Sequence, residues 1–522
     1  MKTEKTDILI IGAGASGAVS SWNLSKTNLK ITCLDQGPLL SKKEYSFNNK
    51  EREINKMHYF NPDTNIRNLA QDYPIDSDNS PISIANYNAI GGSTLIYSGH
   101  YLRFHKTDFF TKKKDGVNSN WLFHYNHLKK YYDLNDKMMG VSGLVGDPAY
   151  PDIKNLLPPI EIGTTGKILA KAFNKLNWHW WPSYAAVKTS KRYLKGIRPT
   201  VVEVYLKKAI KNGLILKPNC KVIKIISSSK SLVKGVIYKN KKNKKIYLKA
   251  KLIILAASGI GTPRILLNSY NKFFPNGLAN NSGKVGKNLM LHPLGFIEGK
   301  FDKYLASNEG VEGCSIYSHE FYKSNKKRNF KRGYTIQHLR SPGPIEAYHF
   351  LNKFKKINFG KNFFKNFFDY FGKTIQLSVI CEDFADEKNY IELDFKKKDK
   401  DNMPGVKINY KLSKNSKNML SHGLNHCKKL LEIAGAKKIQ AFGPVKNTGW
   451  HISGTTKMGK SKKNSVVNKF GQCHDIQNLF IVDSSIFPSS SAVNLASTIQ
   501  AVSLMLTDNI KDNLTKYLNL KI

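Results

Sequence analysis

The chain has 522 residues, 41% of them hydrophobic and 11% aromatic, with a formal net charge of +45. That apolar content supports a large core and excludes disorder over most of the length, and no run of 18 apolar residues is present to span a bilayer. The charge does not point to nucleic acid, because only nine of the 83 basic residues are Arg, the residue whose planar fork reads phosphates and bases.

The lysines are scattered, with small clusters at Lys239 to Lys245 and Lys396 to Lys400. Together with abundant Asn, Ile, Tyr and Phe they read as drift toward AT-rich codons; weak attraction to anionic surfaces is the alternative. The first residues, Met1 to Lys5, carry no apolar signal segment, so a cytoplasmic protein is expected. Six cysteines without a CxxC pair predict buried free thiols and no metal site.

In chain order, Asp7 to Ile11 predicts a buried strand. Gly12-Ala13-Gly14-Ala15-Ser16-Gly17 follows, then a helical stretch and a second strand, Lys30 to Leu34, ending in Asp35 and Gln36. This is the strand–turn–helix–strand setting of a dinucleotide fingerprint. Gly12 makes the tight turn, Gly14 lets the backbone approach a diphosphate, and Gly17 allows the helix to pack on the strand. Asp35 stands where a carboxylate accepts from ribose hydroxyls. The motif alone fits FAD or NAD, and its place at the N-terminus tilts toward FAD.

Further along come Gly91-Gly92-Ser93-Thr94, a strand-like Lys221 to Ile226, Ala256-Ala257-Ser258-Gly259-Ile260-Gly261-Thr262-Pro263-Arg264, and Val285 to Pro293. Phe350 to Phe371 interleaves Phe363, Phe364, Phe367, Phe368 and Phe371 with Lys353, Lys355, Lys356, Lys361 and Lys365. It reads as a packed lid or as a basic amphipathic surface for a membrane or partner. Near the end lie Trp450-His451-Ile452-Ser453-Gly454-Thr455, then Asn478 to Pro488 with Asp483, then Ala492-Val493-Asn494-Leu495-Ala496-Ser497-Thr498 leading into an apolar helix.

This ordered set, from residue 7 to about 510, resembles the glucose–methanol–choline (GMC) oxidoreductases. The C-terminal part is similar to the family's WH-x-x-GT, NLYVVD-x-S-x-FP and His/Asn-before-T-x-x-A patterns. The resemblance implies an α/β fold: a Rossmann-like FAD-binding domain from residues 1–105, 185–300 and 445–522, plus a substrate domain with an antiparallel sheet from 106–184 and 301–444. Thr374 to Glu382, Tyr390 to Phe395 and Pro404 to Tyr410 are expected as that sheet's strands. It implies FAD contacts at Gly92, Ser93, Val222, Ala257, Asp483, Asn494 and Thr498. Some members attach FAD through a His shortly after the Gly-Gly segment; Ile96 and Tyr97 stand there, so noncovalent FAD is expected.

Oxidising an alcohol requires a base for the hydroxyl proton and a hydride acceptor. His451 is the expected base, since imidazole titrates near neutrality, and Asn494 the group that orients the hydroxyl. Taken singly, His451 reads as a core histidine, Asn494 as the N-cap of the following helix, and Asp483 as the cap of a turn. His292 reads as structural and His474 as a surface turn residue. The expected activity is an FAD-dependent dehydrogenase, rather than an oxidase, acting on an alcohol or sugar-like substrate with an electron acceptor left open. The rival is an FAD-binding subunit that has lost turnover and serves assembly.

Overall fold

Ile8 to Ile11 close the strand Lys2–Ile11, and all four are buried. A strand apolar on both faces needs cover on both sides, the condition of a parallel sheet. It lies between Ile31–Leu34 and Lys245–Leu255, parallel to both, and Ile215–Lys217 extends the outer edge. The strand Lys245–Leu255 divides its other edge between two partners. Lys245 to Lys249 pair antiparallel with Val233–Lys239, and Ile253 to Leu255 pair parallel with Leu479–Ile481. The C-terminal ends of all the parallel strands therefore meet, and Gly12, Asp35, Ala256 and Val482 leave the sheet on one rim, where α/β sheets take their ligands. The structure, a computed structural model, describes residues 1–45, 52–310, 313–355 and 359–520.

The helices Ala15–Leu24 and Ala496–Asp512 pack together over this sheet, and the helix Tyr125–Met139 packs on the second of them. Tyr125, Leu128 and Tyr132 thus belong to the core of the parallel sheet, although the sequence placed 106–184 with the substrate domain.

A second sheet is antiparallel and six-stranded, in the order Lys438–Phe442, Leu294–Lys300, Thr374–Cys381, Tyr334–Leu339, Cys314–Ser318, Trp181–Pro182. Its two faces alternate with the pleat. Ile297, Ile336, Leu377 and Val379 pack against the helices Gly163–Lys175 and Lys414–Ile433 through Leu169, Phe173, Met419 and Leu430. Phe296, Ser378 and Gln337 lie side by side in register on the opposite face. The boundary expected at residue 300 falls at the wrong end of a strand, because Leu294–Lys300 pairs within this sheet.

Tyr390–Lys398 and Pro404–Asn409 do not join it. They form a separate sheet with Ile75–Asp76, since Ile391, Val406 and Ile408 find their apolar partners in Ile75, Ile260, Leu289 and Ile452. Arg264 and Lys221 anchor this sheet through Asp399, at 2.9 and 3.0 Å.

The aromatic segment folds as two helices, Pro344–Lys355 and Phe363–Tyr370. Lys356 lies outside the described residues. Tyr370 and Phe367 turn inward onto Ala347 and Leu351, whereas Phe359, Phe364 and Phe368 are 56–69% exposed. Lys56, from the helix Arg52–Met57, pairs with Glu346 at 2.9 Å. Among the described residues no helix is long and apolar enough to cross a membrane. All six cysteines are buried and free.

Candidate active site

Gly12 has φ +99°, and a Cβ there would sit 2.5 Å from the Ala256 carbonyl. A Cβ on Gly17 would sit 1.8 Å from the Gly12 carbonyl. Those two positions let the loop double back so that the helix Ala15–Leu24 starts at the sheet rim. A Cβ on Gly14 meets nothing nearer than the Gly92 Cα, at 3.9 Å. It would project into a cavity of about 550 Å³, within the roughly 300–1,000 Å³ typical of ligand sites.

That cavity is lined by Gly12, Gly14, Ala15, Ser16, Asp35, Gln36, Gly92, Ser93, Val222, Ala257, Asp483, His451 and Asn494. The fold thus gathers around one cavity nearly all the residues singled out from the sequence. Gly17 packs behind the loop rather than lining it. Thr498 is fully buried and bonds Tyr132 Oη at 2.8 Å. On the helix Ala496–Asp512 it is Ala496 and Ile499 that face the cavity, so the expected cofactor contact at Thr498 is corrected to a core contact.

At one end, Asp35 accepts from the amides of Ala13 at 2.7 Å and Gly37 at 2.8 Å. Burial pushes its carboxyl up to about 6, against the pull of those two amides. In the middle, Asp483 accepts from the Ser258 amide at 3.0 Å, from Thr262 Oγ1 at 2.5 Å and from the Ser485 amide at 2.9 Å. It caps the short turn Ser484–Ile486 and also clamps the loop before the helix Ser258–Asn268. Burial raises its pKa.

At the other end, His451 Nε2 lies 3.2 Å from Asn494 Nδ2, and His451 Nδ1 lies 2.9 Å from His292 Nδ1. Burial, with His292 and His100 nearby, holds His451 well below the usual imidazole value. Asn494 does not cap the following helix. That helix begins after Leu495 without a side-chain cap, and the Asn494 amide is taken by His451 and by Gln337 Nε2, 2.8 Å from its Oδ1. His474 is half-buried and bonded to Ser465 Oγ and the Gly459 carbonyl, at 3.0 and 3.2 Å, so it braces a loop instead of standing at the surface.

Several lining residues escaped the sequence reading. Phe296, Gln337, Leu339, Ser378 and Ile380 come from the antiparallel sheet. His100 is also buried against the cavity, and its Nδ1 has no partner among the described residues. The strand Tyr334–Leu339 reads YTIQHL, and nothing in it singles out Gln337 over Thr335 or His338.

The family model described as GMC oxidoreductase matches residues 6–294 with its N-terminal part and residues 385–503 with its C-terminal part. The chain belongs to the GMC oxidoreductases. It is 33% identical to a 2-methyl-1,2-propanediol dehydrogenase of Mycolicibacterium austroafricanum, over 97% of this chain and 95% of that one. It is 24% identical to the fructose dehydrogenase large subunit of Gluconobacter japonicus, over 98% and 99% of the two chains. Among solved structures, pyridoxine 4-oxidase from Mesorbium loti superposes with a TM-score of 0.69 at 15% identity, covering 97% of this chain and 99% of that one. GMC oxidoreductases bind FAD, and the cavity fits the group. It offers side-chain-free backbone at Gly14 and Gly92, a helix N-terminus beside it for a diphosphate, and a buried carboxylate at the end of the second strand.

Proposed function

We propose that this GMC oxidoreductase uses noncovalent FAD to oxidise the CH–OH group of a small alcohol or sugar-like substrate, with His451 as the base. The observation that carries the reading is the convergence of His451 Nε2 and Asn494 Nδ2, 3.2 Å apart, in the cavity that Phe296 and Ser378 also line. When bound, FAD supplies the hydride acceptor. The loop Gly12 to Ser16 would hold its diphosphate, Asp35, Gln36 and Val222 its adenosine, and Gly92, Ser93, Ala257 and Asp483 the stretch between. Neither Ile96 nor Tyr97 supplies an imidazole for a covalent bond, and the Tyr97 hydroxyl is spent on the Pro199 carbonyl at 2.9 Å.

The substrate hydroxyl gives its proton to His451 Nε2, while Asn494 Nδ2 donates to the same oxygen and holds it in place. A neutral imidazole is the form this step requires, and burial supplies it. Leu294, Phe296, Leu339 and Ile380 flank the site and outnumber the polar Gln337 and Ser378, which supports an alcohol with an apolar flank over a fully hydroxylated sugar. The dehydrogenase names of the two sequence relatives support an acceptor other than oxygen.

The test is anaerobic bleaching of the flavin absorbance by a panel of short alcohols, diols and sugars, with acid precipitation of the protein. Bleaching by a member of the panel and yellow supernatant are expected. A flavoprotein bleached by none of them points to a binding subunit without turnover.

The exposed face of the aromatic hairpin supports one addition, contact with an anionic membrane surface. Phe359, Phe364 and Phe368 project from it with Lys361 and Lys365 beside them, all exposed, on a chain of net charge +45.

A further inference from the structure

His292 was read from the sequence as structural, yet it touches the proposed base. Its Nε2 lies 3.2 Å from the Ser490 carbonyl and its Nδ1 lies 2.9 Å from His451 Nδ1. A carbonyl only accepts, so the hydrogen between His292 and Ser490 belongs to His292 Nε2. In a neutral imidazole the other nitrogen is then an acceptor, and the hydrogen between the two rings belongs to His451 Nδ1. His451 Nε2 is left with a lone pair.

The far side of the chain agrees. A bare Nε2 needs a donor, so Asn494 must present its Nδ2, and its Oδ1 must face Gln337. Gln337 Nε2 is placed to donate to that oxygen, at 2.8 Å. Every hydrogen therefore points one way, from Gln337 through Asn494, His451 and His292 to the Ser490 carbonyl. The terminus is itself braced, since the Asp383 amide donates to Ser490 Oγ at 3.1 Å and that hydroxyl bonds the Asp383 carbonyl at 3.0 Å. His292 is fully buried, with its pKa lowered to about 4 by that burial; this keeps the ring neutral and the direction single.

We propose that His292 and Gln337 are positioning residues that lock His451 into the Nδ1–H tautomer, so that its Nε2 lone pair faces the cavity. Resting on the base reading above, this adds how the base is kept ready. A substrate hydroxyl enters between Asn494 and His451 by accepting from Nδ2 and donating to Nε2, and no hydrogen in the chain needs to reverse. Gln337 stands on the antiparallel sheet and His292 just before its strand Leu294–Lys300, so the tautomer also depends on how that sheet is seated over the parallel one.

The test uses the oxidised flavoprotein with ¹⁵N-labelled histidine, whose imidazole nitrogen shifts separate the two tautomers; a His451→Ala sample identifies the His451 signals. The wild type should show His451 as Nδ1–H and His292 as Nε2–H. His292→Ala should release His451 into a mixture containing Nε2–H and slow substrate reduction of the flavin at least tenfold, toward the full factor of about 10²–10⁴ for a lost base. His292→Asn, whose Oδ1 can reach the Nδ1 position, should restore the Nδ1–H signal and much of the rate. Should His292→Ala fail to fold, Gln337→Glu replaces it. The new carboxylate cannot donate, so Asn494 turns its Nδ2 toward it and its Oδ1 toward His451, drawing a proton onto Nε2. A wild-type His451 in the Nε2–H form, or a folded variant of either residue with an unchanged tautomer, overturns the proposal. An Nδ1–H His451 whose replacement leaves flavin reduction unchanged would instead remove the base assignment and leave the tautomer lock standing.

Discussion

The carboxylate of Asp35 reaches back across the glycine loop and accepts the Ala13 amide at 2.7 Å, while its other oxygen takes the Gly37 amide at 2.8 Å. A residue read from sequence as a ribose contact thus shapes the glycine loop proposed to hold the diphosphate. Asp35→Ala leaves two buried amides without partners, at about 1–3 kcal/mol each. Weaker FAD binding and an earlier denaturation midpoint of the flavin-free protein are expected together. Loss of FAD affinity with unchanged stability would leave the ribose contact as the whole role. The pH dependence has a definite sign. Burial raises the folded carboxyl to about 6, above its ordinary value of 3.8, so its contribution to stability is present below about 4 and is lost as pH rises to about 6. Acidification through that window should stabilise the wild type relative to Asp35→Asn.

Gly14 and Gly17 should fail in different ways. Gly17→Val drives a side chain into the Gly12 carbonyl, 1.8 Å from where its Cβ would sit, and soluble folded protein should not be recovered. Gly14→Val points into the cavity and should yield folded protein without flavin. Circular dichroism with the flavin-to-protein absorbance ratio separates the two outcomes; flavin retained by Gly14→Val would move the diphosphate site off this loop.

His451→Ala should reduce its flavin with substrate at least ~100-fold more slowly, the scale of a general base, with FAD content near normal. Because burial, His292 and His100 hold His451 well below the ordinary imidazole value of 6.5, any acid limb that it causes in the wild-type rate should lie below pH 6.5. Anaerobic stopped-flow reduction across pH 5 to 9 is the measurement. A His451-dependent limb centred near 7 would show that the imidazolium is far easier to form than this environment allows.

Arg332 is buried and binds three carboxylates: Asp108, Asp115 at 3.3 Å and Glu382 at 2.7 Å. It ties the turn Lys106–Phe110 to the end of the strand Thr374–Cys381. Arg332→Ala strands these acids, and a loss of about 3–5 kcal/mol is expected, read by chemical denaturation. A loss below about 1 kcal/mol would mean that the acids find protons or water without cost.

Phe364→Ser with Phe368→Ser should leave folding intact, since both rings are more than half exposed. Wild-type protein is expected to co-sediment with vesicles rich in phosphatidylserine, less so with added salt, and not with neutral vesicles; the double variant should lose that binding. No binding by the wild type at low salt would leave the hairpin as a lid.

The local motifs were legible because each rests on short-range physics. Ile8 to Ile11 are apolar on both faces, Gly12 and Gly17 permit one tight turn, and Asp35 ends the next strand, so the dinucleotide fold and its ligand rim follow from some thirty residues. The order of motifs to Asn494 then identified the family. Partnerships across long separations were not legible. Val406 and Ile408 alternate as well as Leu377 and Val379 do, and only tertiary packing sends the first pair to Ile75 and Ile260 and the second to the helix Lys414–Ile433. Asn494 and Thr498 both had a polar role on paper; the turn before the helix Ala496–Asp512 gave the first to the cavity, and the helix itself turned the second onto Tyr132. His292 and His451 are 159 residues apart. Their hydrogen bond depends on how two sheets are seated against each other, which no local pattern encodes.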